Sequence, residues 1–151
     1  MTTESTLAAG ATLSFRKTMT VAEQAFFTGI SGNLAPMHVD ARAARAAGFS
    51  NMLSFELAVA ALATTALNRI SGSAWRIGGV DLKFDAPVPV GSTIEARVTV
   101  SQVDATAITF SVTCTVDDRE ADTARSIDLA TATFAELAPL SQGVIDATLS
   151  W

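Results

Sequence analysis

The chain has 151 residues, 49% of them hydrophobic and 17% charged, with ten Lys and Arg set against fifteen Asp and Glu. One domain of this length buries a core of its own, and a net charge of −5 with scattered basic residues makes nucleic acid an unfavourable partner. A single cysteine, Cys114, leaves neither an intramolecular disulfide nor a cysteine-based metal site, and no apolar run approaches the roughly 18–20 residues that span a membrane.

The N-terminal dozen residues carry no basic residue and no apolar block with a cleavage pattern, so a cytoplasmic location is expected. A mean hydropathy of +0.36 is high for a monomer of this size. Some surface is therefore expected to meet a second subunit in a homodimer or higher even oligomer.

An opening strand is expected over residues 11–18. Thr20-Val-Ala-Glu23 then has the Thr-x-x-Glu spacing of a capping box, which starts a helix over residues 21–31. Gly32 supplies the left-handed stop. His38 falls on a turn, and Asp40 caps a short Ala/Arg helix that ends at Gly48. Residues 53–69 are apolar on almost every side, which on a helix means enclosure by something else.

The enclosing candidates follow at residues 77–84, 93–103, 107–116 and 126–137, which are rich in Val, Ile, Thr and Phe and separated by turn residues. They are expected to form an antiparallel meander. Ile94/Ala96/Val98/Val100 and Ile108/Phe110/Val112/Cys114 give two of these strands one apolar face each, and Cys114 is read as a small core residue. The tail from 139 to 151, with Val144, Ile145, Leu149 and Trp151, has no clear assignment. One α+β domain over residues 1–151 is the expectation.

The segment Ser31-Gly-Asn-Leu-Ala-Pro-Met-His-Val-Asp40 resembles the hydratase motif of the MaoC-like, (R)-specific enoyl-thioester hydratase family. The resemblance runs from about residue 13 to 137 and takes in the flanking helices, the Met52-Leu53 approach to the long helix and Phe84-Asp-Ala-Pro-Val-Pro-Val-Gly91. It implies a hot-dog fold, a curved antiparallel sheet wrapped around a long central helix. The family motif is Ser-Gly-Asp-x-Asn-Pro-x-His, whose Asp and His hold and activate the water that adds to an enoyl thioester. Those positions are Asn33 and His38 here, and Ala35 replaces the Asn before the proline.

An amide accepts no proton as a carboxylate does, so Asn33 is expected to position water or substrate rather than act as a base. Ser50-Asn51 stands where the family has His-Gly. Glu56, the only charge between Arg45 and Arg69, resembles the helix-borne carboxylate of 3-hydroxyacyl carrier-protein dehydratases, whose second group is a His on the preceding turn. The resemblance therefore implies a lyase of fatty-acid metabolism with His38 as base and a partly buried Glu56 as acid or water-orienting group. Ser31, Gly32, Pro36, Asn51, Met52, Leu53 and Ser54 are expected to contact substrate, and backbone amides opening the long helix to receive the thioester oxygen.

The substrate implied is an acyl-CoA or acyl-carrier-protein thioester, with no cofactor, metal, nucleic acid or membrane. Plainer roles stand beside these: His38 as a turn residue bonded into the core, Glu56 as an acid favoured at a helix start, Asn33 as a turn former and Asp40 as a cap. Arg42, Arg45, Arg69, Arg76 and Lys83 are solvated or meet the phosphates of a pantetheine carrier. Two other functions fit the same fold, a thioesterase using Glu56 and a catalytically silent acyl-binding partner subunit.

Overall fold

The structure, a computed structural model, describes residues 7–117 in full and residues 128–139 as backbone. In chain order its elements are β1 (Thr12–Thr18), α1 (Val21–Ser31), α2 (Pro36–Val39), α3 (Ala41–Ala46), α4 (Glu56–Ser71), β2 (Trp75–Asp81), β3 (Thr93–Val103), β4 (Ile108–Val116) and β5 (Asp128–Pro139). The strands form one antiparallel sheet in the order β1-β3-β4-β5-β2. Residues 140–151, the unassigned tail, lie outside the described residues.

The alternation read in the sequence is the alternation of burial. Ile94, Ala96, Val98, Val100, Ile108, Phe110, Val112 and Cys114 all lie at 3% exposure or less, and they meet Val59, Leu62, Ala63, Ala66 and Leu67 of α4 in one core. Each large aliphatic side chain removed from water there contributes about 1.5–3 kcal/mol. Register shifts between Val100 and Gln102 and between Phe110 and Val112 mark bulges, which bend and twist a sheet so that it follows a helix.

Four expectations need correction. The long helix begins at Glu56 rather than 53, because Leu53 forms an antiparallel bridge with Pro89 and the chain stays extended through Phe55. Strand β2 occupies Trp75–Asp81, not 77–84, and it pairs with β5 rather than β3. The meander is thus confined to β3, β4 and β5. His38 lies in the four-residue helix α2 instead of a turn, for Pro36 at its first position has φ already suited to a helix and no amide to lose. Finally, among the described residues α4 is not buried all round: Glu56, Leu57, Ala61 and Thr64 are exposed.

Helix α1 starts as its sequence requires. Ala22 N donates to Thr20 Oγ1 and Thr20 N donates to Glu23 Oε2, while Lys17 Nζ lies 2.8 Å from Glu23 Oε1. The Lys17 ammonium, then the Thr20 hydroxyl, hold the Glu23 carboxyl at about 2 instead of 4.5. A carboxyl depressed by folding contributes stability that is complete above its ordinary value and is lost as pH falls from 4.5 towards 2. Glu23→Gln is therefore expected to lower stability at pH 7 by about 1 kcal/mol, allowing for solvent screening of a surface pair. Urea unfolding of both proteins at neutral and acid pH checks this: the gap should narrow in acid.

Among the described residues no helix is long and apolar enough to cross a membrane.

Candidate active site

Helix α1 ends at Gly32, whose φ of 69° is open to glycine and whose amide donates to Thr28 O at 2.8 Å. Ser31 Oγ donates to Phe27 O and accepts from Asn33 N, and Asn33 Oδ1 accepts from Ala35 N at 2.9 Å. Ala35 takes the extended conformation imposed by the following proline. The motif is thus a chain of local hydrogen bonds that turns the backbone and delivers His38. Asp40 ends α2 and caps α3 through Arg42 N.

His38 is half-buried. Its Nδ1 lies 2.8 Å from Leu53 O, and a carbonyl only accepts. The neutral ring therefore carries its proton on Nδ1 and a lone pair on Nε2. The ring stacks on Phe55 with centroids 4.3 Å apart, and Phe55 stacks in turn on Phe27 at 4.7 Å.

Leu53 is placed from two sides. Its amide donates to Met37 O at 2.9 Å, and the segment around it is laced to residues 88–90 by Ser54 N to Val88 O and Val90 N to Met52 O, each 2.7 Å. Asn51 completes the lacing, with Nδ2 donating to Val90 O and Oδ1 accepting from Met52 N. Asn51, Met52 and Leu53, expected at the substrate, thus hold the loop that carries the acceptor of His38. Ser54 is buried at 2% exposure, and its Oγ has no hydrogen-bond partner among the described residues.

Helix α4 opens at Glu56 with no side-chain cap, so its first-turn amides point outward without a side-chain acceptor. Glu56 follows directly on the ring that His38 stacks against. It is exposed, however, which corrects the expectation of partial burial, and among the described residues neither a hydrogen bond nor an ion pair joins it to His38. Beyond it, Leu57, Ala61 and Thr64 of α4 face Ile77 and Val80 of β2 across an apolar cavity of about 190 Å³. Cys114 also lines it, but burial pushes the thiol up to about 11, and a thiol that is not ionised is a poor nucleophile. No cluster of His, Cys, Asp or Glu able to hold a metal occurs among the described residues.

A family model described as the MaoC like domain matches residues 4–121. The chain belongs to the MaoC-like family. It is 31% identical over 110 residues to an (R)-specific enoyl-CoA hydratase of Rhodospirillum rubrum, covering 71% of this chain and 76% of that one. Its hot-dog fold is shared with an (R)-hydratase from A. caviae involved in PHA biosynthesis, at a TM-score of 0.79, 22% identity and coverage of 89% and 98%. An unliganded (R)-hydratase of Pseudomonas aeruginosa superposes at 0.77 with 18% identity, over 96% and 93% of the two chains.

Within this MaoC-like frame, sequence reasoning missed the residues that hold His38. Gln24 and Phe55 contact it, Phe27 stacks on Phe55, and Gln24 is the one buried residue of α1. A signal was present, since Gln24, Phe27 and Thr28 lie at i, i+3 and i+4 and so share one face of the helix. The large apolar residues Phe26 and Ile30 face outward instead, at 74% and 84% exposure.

Proposed function

We propose that this MaoC-like chain adds water to 2-enoyl thioesters, or removes it from 3-hydroxyacyl thioesters, with coenzyme A or a carrier protein as the thiol. The observation carrying the proposal is the hydrogen bond from His38 Nδ1 to Leu53 O, which leaves Nε2 with a lone pair in the family's hydratase motif. In hydration His38 Nε2 takes a proton from water as its oxygen bonds to C3. The electrons of the double bond move towards the thioester oxygen, which the first-turn amides of α4 receive. A proton then returns to C2 from Glu56 or the imidazolium.

Asn33 is the positioning group in this scheme. Its Oδ1 is held by Ala35 N, which leaves Nδ2 to donate to water or substrate. Ser31, Gly32 and Pro36 shape the turn that carries it. The cavity beside α4 takes the acyl chain, its walls formed almost entirely by aliphatic side chains and alanines.

A second reading, an acyl-binding partner without turnover, is favoured by the amide at position 33. One assay separates the possibilities: a short enoyl-CoA and its saturated counterpart are offered in parallel, with the conjugated double bond and free thiol followed separately. Double-bond loss alone supports the proposal. Thiol release from both compounds supports a thioesterase, and binding without either reaction supports the silent partner.

Assembly belongs to the same proposal. Phe26, Ile30, Leu34 and Leu57 are each more than half exposed, and β1 and β2 are edges of the sheet. Light scattering at micromolar concentration is expected to give at least twice the chain mass of 15.7 kDa. A monomer mass would refute the expected homodimer or higher even oligomer.

A further inference from the structure

Gln24 is 4% exposed, and burying a carboxamide is costly unless each polar atom finds a partner. All its partners are backbone groups around the histidine. Nε2 donates to His38 O and to Leu53 O, both at 2.8 Å, and Oε1 accepts from Phe55 N at 3.3 Å. Each of these three groups bears on the imidazole. His38 O belongs to the residue that carries it, Leu53 O is the acceptor for its Nδ1, and Phe55 carries the ring against which it stacks.

The Leu53 oxygen has two lone pairs, and His38 and Gln24 take one each. Gln24 thereby holds the acceptor that decides which imidazole nitrogen keeps the proton. No other side chain of similar size does the same: a carboxylate turns an oxygen towards two carbonyl oxygens, methionine has no donor, and asparagine is one methylene too short.

We infer that Gln24 is a positioning residue for His38, fixing the Leu53 carbonyl and Phe55 so that Nδ1 stays protonated and Nε2 faces the substrate. This rests on His38 being the base proposed above. Sequence supplies a clean readout, because His38 is the only histidine in the chain, and its two ring nitrogens are the only imidazole signals in a nitrogen-15 spectrum.

Wild-type protein at a pH where the ring is neutral is expected to show the Nδ1-protonated form. Gln24→Met is expected to give a mixture of tautomers and a kcat lower by about 10- to 100-fold, the scale of a misplaced catalytic group, with KM little changed. A wild-type tautomer pattern in the folded variant overturns the inference, as does an activity loss that merely tracks the unfolded fraction in a melting curve. Should Gln24→Met fail to fold, Gln24→Glu keeps the acceptor for Phe55 N, leaves at most one donor for the two carbonyls and is read the same way.

The wild-type protein provides a check that needs no variant: the Gln24 carboxamide protons are expected to exchange slowly with solvent, and exchange as fast as in an exposed glutamine overturns the inference. If Gln24→Met changes the tautomer while wild-type protein turns over no thioester, the hydratase reading fails and the positioning role stands.

Discussion

Replacing His38 with alanine is expected to lower kcat/KM on the best enoyl thioester by about 10²- to 10⁴-fold, the usual range for removal of a general base. The fold should survive. His38 is only half-buried, and the Leu53 oxygen that it leaves keeps its bond from Gln24 Nε2, so no buried carbonyl is orphaned. The loss is the stacking on Phe55, worth about 1 kcal/mol, and Phe55 still stacks on Phe27. The measurement is steady-state kinetics beside a thermal melt. Near-wild-type rates would remove His38 from the mechanism and leave it as a residue that ties α2 to the approach to α4.

The parts of this molecule that were legible in the sequence are those governed by local rules. Strands β3 and β4 alternate as their side chains do, because one face of each meets α4 and the period of a strand is two. The capping box, the left-handed Gly32 and the Asp40 cap each depend on residues within a few positions of one another. Elements settled by distant partners were not legible. Residues 53–55 open the apolar run read as a helix, yet they are extended, and Leu53 pairs with Pro89, more than thirty positions away. Strand β2 lies beside β5, which follows it by two further strands.

The candidate site divides along the same line. His38 was legible as a member of a motif, whereas the partners that define its tautomer were not, for Gln24 precedes it by 14 positions and Leu53 follows it by 15. Helix α1 adds a reason of its own. Its inward face meets backbone carbonyls and an amide at residues 38, 53 and 55, so a glutamine is the right residue to bury there. A search for an apolar inward stripe selects Phe26 and Ile30, which are exposed.

Glu56 and Asn33 carry the second large effect, because the proposed mechanism moves the acidic function from position 33 to Glu56. Glu56→Gln preserves shape and removes the capacity to move a proton, and a loss of about 10²-fold or more is expected if Glu56 is the acid. The structure makes the companion substitution unusually clean. Asn33 Oδ1 already accepts from Ala35 N, and a carboxylate oxygen accepts equally well, so Asn33→Asp keeps the turn and alters only the outward atom from donor to acceptor. That variant is expected to retain or raise activity towards short enoyl thioesters. Two carboxylates that met at one substrate would share a proton in acid, so any gain should grow as pH rises. Rate profiles against pH for the wild type and both variants on one substrate make the comparison. If Glu56→Gln follows the wild type throughout, the carboxylate serves only to favour the start of α4, and its exposure at the first helical position is then sufficient to account for it.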